Sequence, residues 1–346
     1  MKIAIDCRYL GKSGIGRVLE GIIENIDYRE NKFFLIGKAS LLNRFTDAEI
    51  IECDSDPFSV KGLFSFPKKI NKICDALIVP NFIIPFGIRI PVVSIIHDLI
   101  FFDIKKMNKG VVDKFSKKFL LKRCVKKSEA VACVSNFTLK RCECYYPKYS
   151  DKFFLNYNGL SKSVLNYCKS ENLVKNEKSI IYVGNVKPHK GLKTLIEAFK
   201  LLPDGYTLKI IGEKDNFITG FDDDCLNTEG VFFTGRLSDD ELLREISEAG
   251  VLVQPSEYEG FGLPPLEALY LGTKAIVSDI EVFKEVYDGL DVDFFKVNDA
   301  EDLANKILTA DYHVTDCQKK ITDKYDFKKS ADILIDKVQK VIKNEL

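Results

Sequence analysis

Short apolar segments rich in β-branched residues alternate along this chain with longer amphipathic segments, and the alternation runs through the chain twice. In the first half, the predicted strands lie at 2–5, 33–37, 76–79, 92–96 and 130–134. The predicted helices there lie at 17–27, 109–127 and 136–145. Strands that are apolar at nearly every position are typical of parallel sheets covered by helices on both faces. The first half is therefore predicted to be a doubly wound α/β domain.

The second half repeats the pattern after a polar stretch at 160–178, which we interpret as a linker. Its predicted strands lie at 179–183, 208–211, 231–233, 251–254 and 274–278. Its predicted helices lie at 190–201, 239–248, 264–271 and 281–287, and a long amphipathic helix follows at 326–344. Two such series predict two Rossmann-like domains that face a cleft. The predicted bounds are 1–165 and 166–325, with a C-terminal helix in 326–346.

Composition and charge narrow the class of protein. Hydrophobic residues make up 46% and charged residues 29% of the 346 residues, as is typical of soluble globular proteins. Residues 1–172 carry 29 basic and 18 acidic side chains, whereas the remainder carries 22 and 33. This asymmetry fits either two different partners or two domains that attract each other. The 10 cysteines form no Cys-x-x-Cys pair, and no apolar run is long enough for a signal peptide or a bilayer span. We expect a cytoplasmic protein without disulfides.

The segment at 255–267 is the strongest candidate site. A predicted strand ends at Gln254, and a loop with Gly260 and Gly262 leads into a helix that opens with two prolines. Glycine lets a ligand approach the backbone, and the free N–H groups of a helix start bind anions. The segment therefore predicts a diphosphate site, with Glu259 and Glu267 accepting hydrogen bonds from hydroxyl groups on either side. The alternative is a strand–turn–helix with two solvated glutamates.

The spacing of Glu259 and Glu267 resembles the Glu-x7-Glu signature of family 4 glycosyltransferases, retaining enzymes with the GT-B fold. Other segments resemble this family in the same order along the chain. They are Asp6-Cys-Arg-Tyr-Leu-Gly-Lys-Ser-Gly-Ile-Gly-Arg17, His97-Asp98, Val134-Ser-Asn136, Ile181-Tyr-Val-Gly-Asn-Val-Lys-Pro-His-Lys-Gly191 and Phe233-Thr-Gly-Arg-Leu-Ser238. The resemblance implies the GT-B fold, with a C-terminal helix that crosses back to the N-terminal domain. The Lys-Pro-His-Lys loop suggests the mannosyltransferase branch.

The resemblance also implies roles for individual residues. Glu267 would bind the ribose hydroxyls, Glu259 would hold a hydroxyl of the donor sugar, and Lys190 would pair with the diphosphate. The loop around Gly260 would present backbone amides to the sugar and diphosphate, and a second loop would lie on the side of the base. These residues are Phe261, Gly262 and Leu263 in the first loop, and Arg236 and Leu237 in the second. The family commonly has a second cation where this chain has Asn185, so that role falls to Lys187 or is unfilled.

Two candidates lie in the first half of the chain. His97 follows a predicted strand, and the resemblance implies a hydrogen bond to the donor sugar or phosphate; the alternative is a histidine satisfied at a strand end. Gly14 and Gly16 lie in a glycine loop that we interpret as flexible, at the cleft mouth near phosphate and acceptor; the alternative is a surface βα turn. This loop is not a P-loop, because the glycine required five positions before Gly11 is missing.

Two acidic segments and one basic helix are candidates for a metal site and a membrane site. The acidic triplet 222–224 and the Asp54-Ser-Asp56 pair are interpreted as solvated turns, and no metal site is expected. Residues 105–127 contain 10 Lys and Arg against one acidic residue, Asp113, with apolar residues at helical spacing. Such a helix fits either an anionic membrane surface or a helix on a domain face, and both stay open. Nucleic acid is disfavoured, because no aromatic stacking residues are interleaved with the charges.

The resemblance implies a retaining hexosyltransferase that uses a nucleoside diphosphate sugar, with GDP-mannose as the first choice and UDP-linked hexoses next. The expected acceptor is a glycan or lipid-linked glycan in bacterial surface polysaccharide synthesis. No cofactor or metal is expected, and the predicted location is the cytoplasm or the inner face of the cell membrane. The alternatives are a phosphorylase or epimerase on the same fold, an NAD-dependent oxidoreductase and a non-catalytic scaffold.

Overall fold

The computed structural model describes residues 1–104, 110–168, 175–212 and 228–345. The chain divides into two compact units, Met1–Gly159 with Asp326–Leu346, and Leu160–Tyr325. The predicted boundary after residue 165 and the predicted linker at 160–178 therefore need correction. The short helix Lys162–Leu165 belongs to the second unit, where the Tyr270 hydroxyl donates a hydrogen bond of 3.4 Å to the Leu165 carbonyl.

The first unit is built on a parallel sheet of seven strands in the order β3-β2-β1-β4-β5-β6-β7. The strands are β1 (Lys2–Asp6), β2 (Lys32–Gly37), β3 (Glu49–Glu52), β4 (Ala76–Val79), β5 (Val92–Ile96), β6 (Ala130–Cys133) and β7 (Phe153–Leu155). The register places Ile3 of β1 between Phe33 of β2 and Ala76 of β4. The five interior strands, β2, β1, β4, β5 and β6, are buried at nearly every position, because helices cover both faces of the sheet.

The helices of the first unit include one from the end of the chain. They are α1 (Ser13–Asn25), α2 (Ala39–Leu42), α3 (Val60–Phe64), α4 (Ile70–Ile73), α5 (Ile100–Asp103), α6 (Val111–Lys127), α7 (Asn136–Tyr145) and the C-terminal helix Phe327–Lys343. A short 3₁₀ helix, Pro147–Lys152, precedes β7. The C-terminal helix packs against α1, where a Cβ atom on Gly21 would lie 2.3 Å from the Phe327 ring. A side chain at position 21 would therefore push this helix away.

The second unit has a parallel sheet of six strands in the order β10-β9-β8-β11-β12-β13. The strands are β8 (Asn176–Val183), β9 (Thr207–Ile211), β10 (Val231–Gly235), β11 (Ala249–Gln254), β12 (Lys274–Ser278) and β13 (Val292–Phe295). The helices are α8 (Lys162–Leu165), α9 (Leu192–Phe199), α10 (Asp239–Glu248), α11 (Leu263–Tyr270), α12 (Glu281–Val286), α13 (Ala300–Leu308) and α14 (Gln318–Lys324). The C-terminal helix is then α15.

Both sheets have the strand order of doubly wound folds, so the predicted pair of Rossmann-like domains is confirmed. Nine cysteines lie in the described part of the chain, and all nine are free thiols. Cys225 lies outside the described residues. No helix within the described ranges combines the length and the apolar character that a bilayer crossing requires.

Candidate active site

The candidate residues of the second unit lie close to the point where the strand order of its sheet reverses, between β8 and β11. From β8 the chain continues to β9 and β10 on one side, and from β11 it continues to β12 and β13 on the other. The adjacent strands β8 and β11 end at Val183 and Gln254. In doubly wound sheets the connections diverge at this point and leave a crevice at the carboxyl ends, where ligands bind. The loops at 184–191 and 255–262 therefore occupy the expected position of a ligand site.

These two loops are in direct contact. The backbone N–H of Glu257 donates a hydrogen bond of 2.8 Å to the carbonyl oxygen of His189. Gly191 adopts φ of +67°, and a Cβ atom there would lie 1.8 Å from the carbonyl oxygen of Pro255. Only glycine fits this contact. The contact fixes the position of Lys190, which ends the 3₁₀ helix Pro188–Lys190, relative to Glu259.

Lys190 and Glu259, which are 69 positions apart in the chain, form an ion pair. Lys190 Nζ lies 2.6 Å from Glu259 Oε1, and the side chains are 20% and 12% exposed. The same oxygen accepts hydrogen bonds from Ser256 Oγ at 2.8 Å and from Gln254 Nε2 at 3.4 Å. Within the described residues all three bonds go to Oε1, so Oε2 is left to accept a hydrogen bond from a ligand. The Lys190 ammonium group has two further N–H groups, which can donate hydrogen bonds to a phosphate.

Ser256 and Gln254 were not predicted as site residues. Gln254 Nε2 also donates to Ser256 Oγ at 3.0 Å, and Ser278 donates to the Ser256 carbonyl oxygen. All three side chains are buried, so this network holds the Glu259 carboxylate in one orientation. The sequence signal for them was their position at the end of an apolar strand. A polar side chain that is buried there requires hydrogen-bond partners.

The start of α11 is held by aromatic side chains. Gly262 caps the helix with φ of +91°, and a Cβ atom there would lie 2.6 Å from the Phe283 ring. Burial raises the pKa of Tyr287, whose hydroxyl donates a hydrogen bond to the Gly262 carbonyl. Phe261 is buried with its ring 5.4 Å from that of Tyr325. These contacts fix the backbone whose amides are predicted to bind the diphosphate.

Few backbone amides at this helix start are available to a ligand. Pro264 and Pro265 have no N–H group, so two donors of the first turn are absent. In the described part of the chain, the N–H groups of Gly262 and Leu263 form no backbone hydrogen bond. Gly262 and Leu263 are therefore the predicted amide donors that the geometry favours most directly.

The other predicted residues of this unit lie along the same edge of the sheet. Glu267 lies in the second turn of α11 and is only 1% exposed. Asn185 is half-buried and Lys187 is exposed in the loop after β8. Arg236 is exposed and Leu237 half-buried directly after β10. Their proposed contacts with ribose, diphosphate and base stay predictions.

His97 directly follows β5 in the first unit, as predicted. Its Nε2 lies 2.8 Å from the carbonyl oxygen of Pro80. Since a carbonyl can only accept, Nε2 carries the proton and Nδ1 keeps its lone pair. Burial lowers the pKa of His97, which favours this neutral form. Nδ1 is thus suited to accept a hydrogen bond from a sugar hydroxyl, and not to donate one to a phosphate.

The predicted flexible loop around Gly14 and Gly16 is wrong. Helix α1 begins at Ser13, so both glycines lie in its first turn. A Cβ atom on Gly16 would lie 2.4 Å from the carbonyl oxygen of Tyr9, which explains glycine at this position by packing alone. Gly14 has no atom within 4 Å of the position that a Cβ would take. A ligand contact therefore stays a prediction that suits Gly14 better than Gly16.

The acidic pairs and the basic segment also have defined positions. Asp56 is exposed and pairs with Lys12 at 2.8 Å, whereas 222–224 lies outside the described residues. Among the described residues, no group of three or more His, Cys, Asp and Glu side chains is arranged to hold a metal ion. Residues 105–109 lie outside the described residues, and 111–127 forms α6.

His189 gives a prediction on pH dependence. Burial, together with the charges of Lys190 and Lys187, lowers the pKa of His189 to about 3. In unfolded chains histidine has a pKa of about 6.5, so protonation favours the unfolded state as pH falls below that value. The wild-type free energy of unfolding should therefore lose about 1.5 kcal/mol between pH 6.5 and 5 from this group alone.

Urea unfolding of the wild-type protein and of His189→Gln at both pH values measures this loss. The variant should show a shallower pH dependence, whereas His313→Gln, at an exposed position, should retain the wild-type slope. Equal slopes for all three proteins would contradict the assignment.

Comparison with known proteins identifies the second unit. Residues 166–310 match the model of the family described as "Glycosyl transferases group 1". This segment is a group 1 glycosyltransferase domain. It contains Lys190, Glu259 and the start of α11. The expected resemblance to the glycosyltransferase family is thus confirmed for this segment, while the roles of individual residues are not tested by the match.

Two curated relatives match this chain over part of their length. The O-antigen chain mannosyltransferase RfbU of Salmonella typhimurium is 34% identical over 172 residues, which is 49% of this chain and 47% of that protein. The N,N'-diacetylbacillosaminyl-diphospho-undecaprenol alpha-1,3-N-acetylgalactosaminyltransferase of Campylobacter jejuni is 30% identical over 160 residues, or 45% and 41%. The matched region therefore spans less than half of each relative.

A solved structure matches the whole chain. HepE from Anabaena, crystallised with UDP and glucose, superposes with a TM-score of 0.75 over 98% of this chain and 99% of its own. The sequences are 17% identical, so this likeness concerns the fold. The predicted GT-B fold is confirmed.

Proposed function

We propose that this chain transfers a hexosyl group from a nucleoside diphosphate sugar to a hydroxyl of a glycan or lipid-linked glycan, with retention of anomeric configuration. The first candidate donor is GDP-mannose, and the proposed role is bacterial surface polysaccharide synthesis. The observation that carries the proposal is the Lys190–Glu259 ion pair at the switch point of the sheet, beside the amides of α11. The names of the two curated relatives support the same class of reaction.

The geometry supports different roles for Lys190 and Glu259 at the bond that breaks. A diphosphate that accepts hydrogen bonds from Gly262 and Leu263 would have Lys190 as its counter-charge. As the bond between the sugar and the diphosphate breaks, negative charge grows on the phosphate oxygen, so the ammonium group stabilises the transition state more than the ground state. Oε2 of Glu259 would hold a hydroxyl of the sugar and fix its position for attack.

Retention follows if the acceptor hydroxyl attacks the face that the diphosphate leaves. The leaving phosphate oxygen then accepts the hydroxyl proton, and no dedicated catalytic base is needed. The proposal also includes no resident cofactor and no metal ion. The proposed location is the cytoplasm or the inner face of the cell membrane.

The donor is tested by thermal unfolding with a panel of GDP-mannose, UDP-glucose, UDP-galactose, UDP-N-acetylglucosamine and NAD. A donor present at 100 times its dissociation constant stabilises the folded protein by about 2.7 kcal/mol, so one member of the panel should raise the melting temperature clearly. NMR of the product made with that donor should show the anomeric configuration of the donor sugar.

Three outcomes would contradict the proposal. Stabilisation by NAD alone would indicate an oxidoreductase. Release of free sugar phosphate, or turnover that needs no acceptor, would indicate a phosphorylase or an epimerase. An inverted product would refute retention while leaving sugar transfer in place.

A further inference from the structure

Helix α6 divides into a buried half and an exposed apolar half. In the second half, Leu121, Cys124 and Val125 are fully buried against the core of the first unit. In the first half, four large apolar side chains face solvent. Their exposed fractions are 71% for Val111, 83% for Val112, 68% for Phe115 and 58% for Phe119. Large apolar groups that cluster at the surface mark interaction sites, because water disfavours such a patch.

The exposed face of α6 continues from apolar to cationic side chains. Phe115, Phe119, Lys122 and Lys126 are all exposed and lie at helical spacing on one face. With a rise of about 1.5 Å per residue, Lys122 stands roughly 10 Å along the helix axis from Phe115. An apolar end followed by ammonium groups at that distance matches a lipid interface, where acyl chains lie below anionic headgroups.

Other cationic side chains of α6 are occupied within the protein. Lys117 pairs with Asp113 at 2.6 Å, and Lys118 Nζ lies 5.2 Å from the centroid of the Phe102 ring. Arg123 donates to the carbonyl oxygens of Ile84 and Pro85 and stacks on the Phe86 ring. These contacts fix α6 to the first unit as a rigid element. Lys122 and Lys126 are exposed and take no part in these contacts, so replacing them leaves these contacts intact.

We propose that the exposed face of α6, from Val111 to Lys126, docks the protein on an anionic lipid surface. Val111, Val112, Phe115 and Phe119 enter the interface, and Lys122 and Lys126 contact the headgroups. Charge complementarity selects this occupant, because the exposed charges on the face are cationic. The sequence left open whether this helix lies on a membrane or on a domain face, and the exposure of the four apolar side chains favours the membrane. The proposal concerns attachment and does not depend on sugar transfer.

Sedimentation with vesicles tests this surface. We expect the full chain to bind vesicles with 30 mol% phosphatidylglycerol in phosphatidylcholine more strongly than pure phosphatidylcholine, with binding weakened by salt. The double variant Phe115→Ser/Phe119→Ser should lower the vesicle partition coefficient tenfold or more, by roughly the loss of two buried apolar side chains. Lys122→Glu/Lys126→Glu should lower it by roughly fivefold or more for each lysine on the anionic vesicles.

Matched controls lie in the second unit. Phe232→Ser changes a phenylalanine that is 52% exposed, and Lys200→Glu/Lys319→Glu reverses two exposed lysines. These variants should bind vesicles like the wild-type protein. Equal binding by all variants, or no binding by the wild-type protein, would overturn the proposal. A wild-type dimer that Phe115→Ser/Phe119→Ser converts to a monomer in analytical ultracentrifugation would assign the face to a second copy of the chain instead. Because the donor-induced thermal shift should be unchanged in every variant, failure here would remain distinct from failure of the proposed transferase activity.

Discussion

Lys190→Met is expected to lower the turnover number for sugar transfer about 100- to 1,000-fold, the usual effect of removing one charge that stabilises a developing anion. The variant loses the proposed counter-charge of the diphosphate. It also leaves the Glu259 carboxylate, 12% exposed, without its cationic partner. Both changes disfavour negative charge at the site, so binding of the free nucleoside diphosphate should weaken as well.

Glu259→Gln is expected to separate binding from transfer. It removes the carboxylate but keeps a side chain of similar shape, and Lys190 is then no longer neutralised. Free nucleoside diphosphate should bind at least as tightly as to the wild-type protein, whereas transfer should fall by about 100-fold or more because the sugar loses its charged acceptor. Opposite effects of the two variants on nucleotide binding, with the same effect on transfer, would be specific to the proposed roles.

Isothermal titration with the nucleoside diphosphate and steady-state kinetics measure both quantities. Lys193→Met and Glu257→Gln are the matched controls, since both residues are exposed and lie within three positions of Lys190 or Glu259. The controls should keep kcat and nucleotide affinity near those of the wild-type protein. A folded Lys190→Met protein with a turnover number within twofold of wild type would refute the assignment.

The sequence predicted the interior strands of both sheets but missed three of the four edge strands. The predicted strands correspond to the nine strands that are central in their sheets and to the edge strand β10. The strands that were not predicted are β3 (Glu49–Glu52), β7 (Phe153–Leu155) and β13 (Val292–Phe295), and each lies at the edge of a sheet. Edge strands are short or partly polar because one side faces solvent, so they lack the continuous apolar run on which the prediction depends.

The sequence predicted which segments form the candidate site but not which of their side chains are in contact. The segment containing Glu259 and the loop containing Lys190 were both identified, yet their ion pair joins residues from two different βα connections. Strand order places those connections side by side, and strand order is not visible in local periodicity. The prediction of a loop at the start of α1 was wrong for a different reason. Glycine weakens a helix, so a helix start that contains Gly14 and Gly16 carries no local signal, although the contact of Gly16 with Tyr9 requires the small residue.

A pair of similar Asp-x-Arg motifs provides the largest expected effect on stability. Arg8 binds Asp6 with two hydrogen bonds of 2.8 Å, and the side chains are 2% and 0% exposed. Arg8 also donates to the Gly62 carbonyl at 2.8 Å and to Ser55 Oγ at 3.1 Å, and it stacks on the Phe66 ring. Arg29 binds Asp27 with the same two-bond geometry, but its side chain is 89% exposed.

Asp6→Ala should lower the free energy of unfolding by about 3–5 kcal/mol, because it leaves a buried guanidinium without its counter-charge. Asp27→Ala removes the same type of pair from a site where water replaces the lost partner, so its effect should be far smaller. The double variant Asp6→Leu/Arg8→Met should recover part of the stability lost in Asp6→Ala, since no charge then stays buried. Urea unfolding of the four proteins distinguishes the two environments. If Asp6→Ala and Asp27→Ala were equally destabilising, burial would not be the cause, and Arg8 would have to be satisfied by its contacts with Gly62 and Ser55 alone.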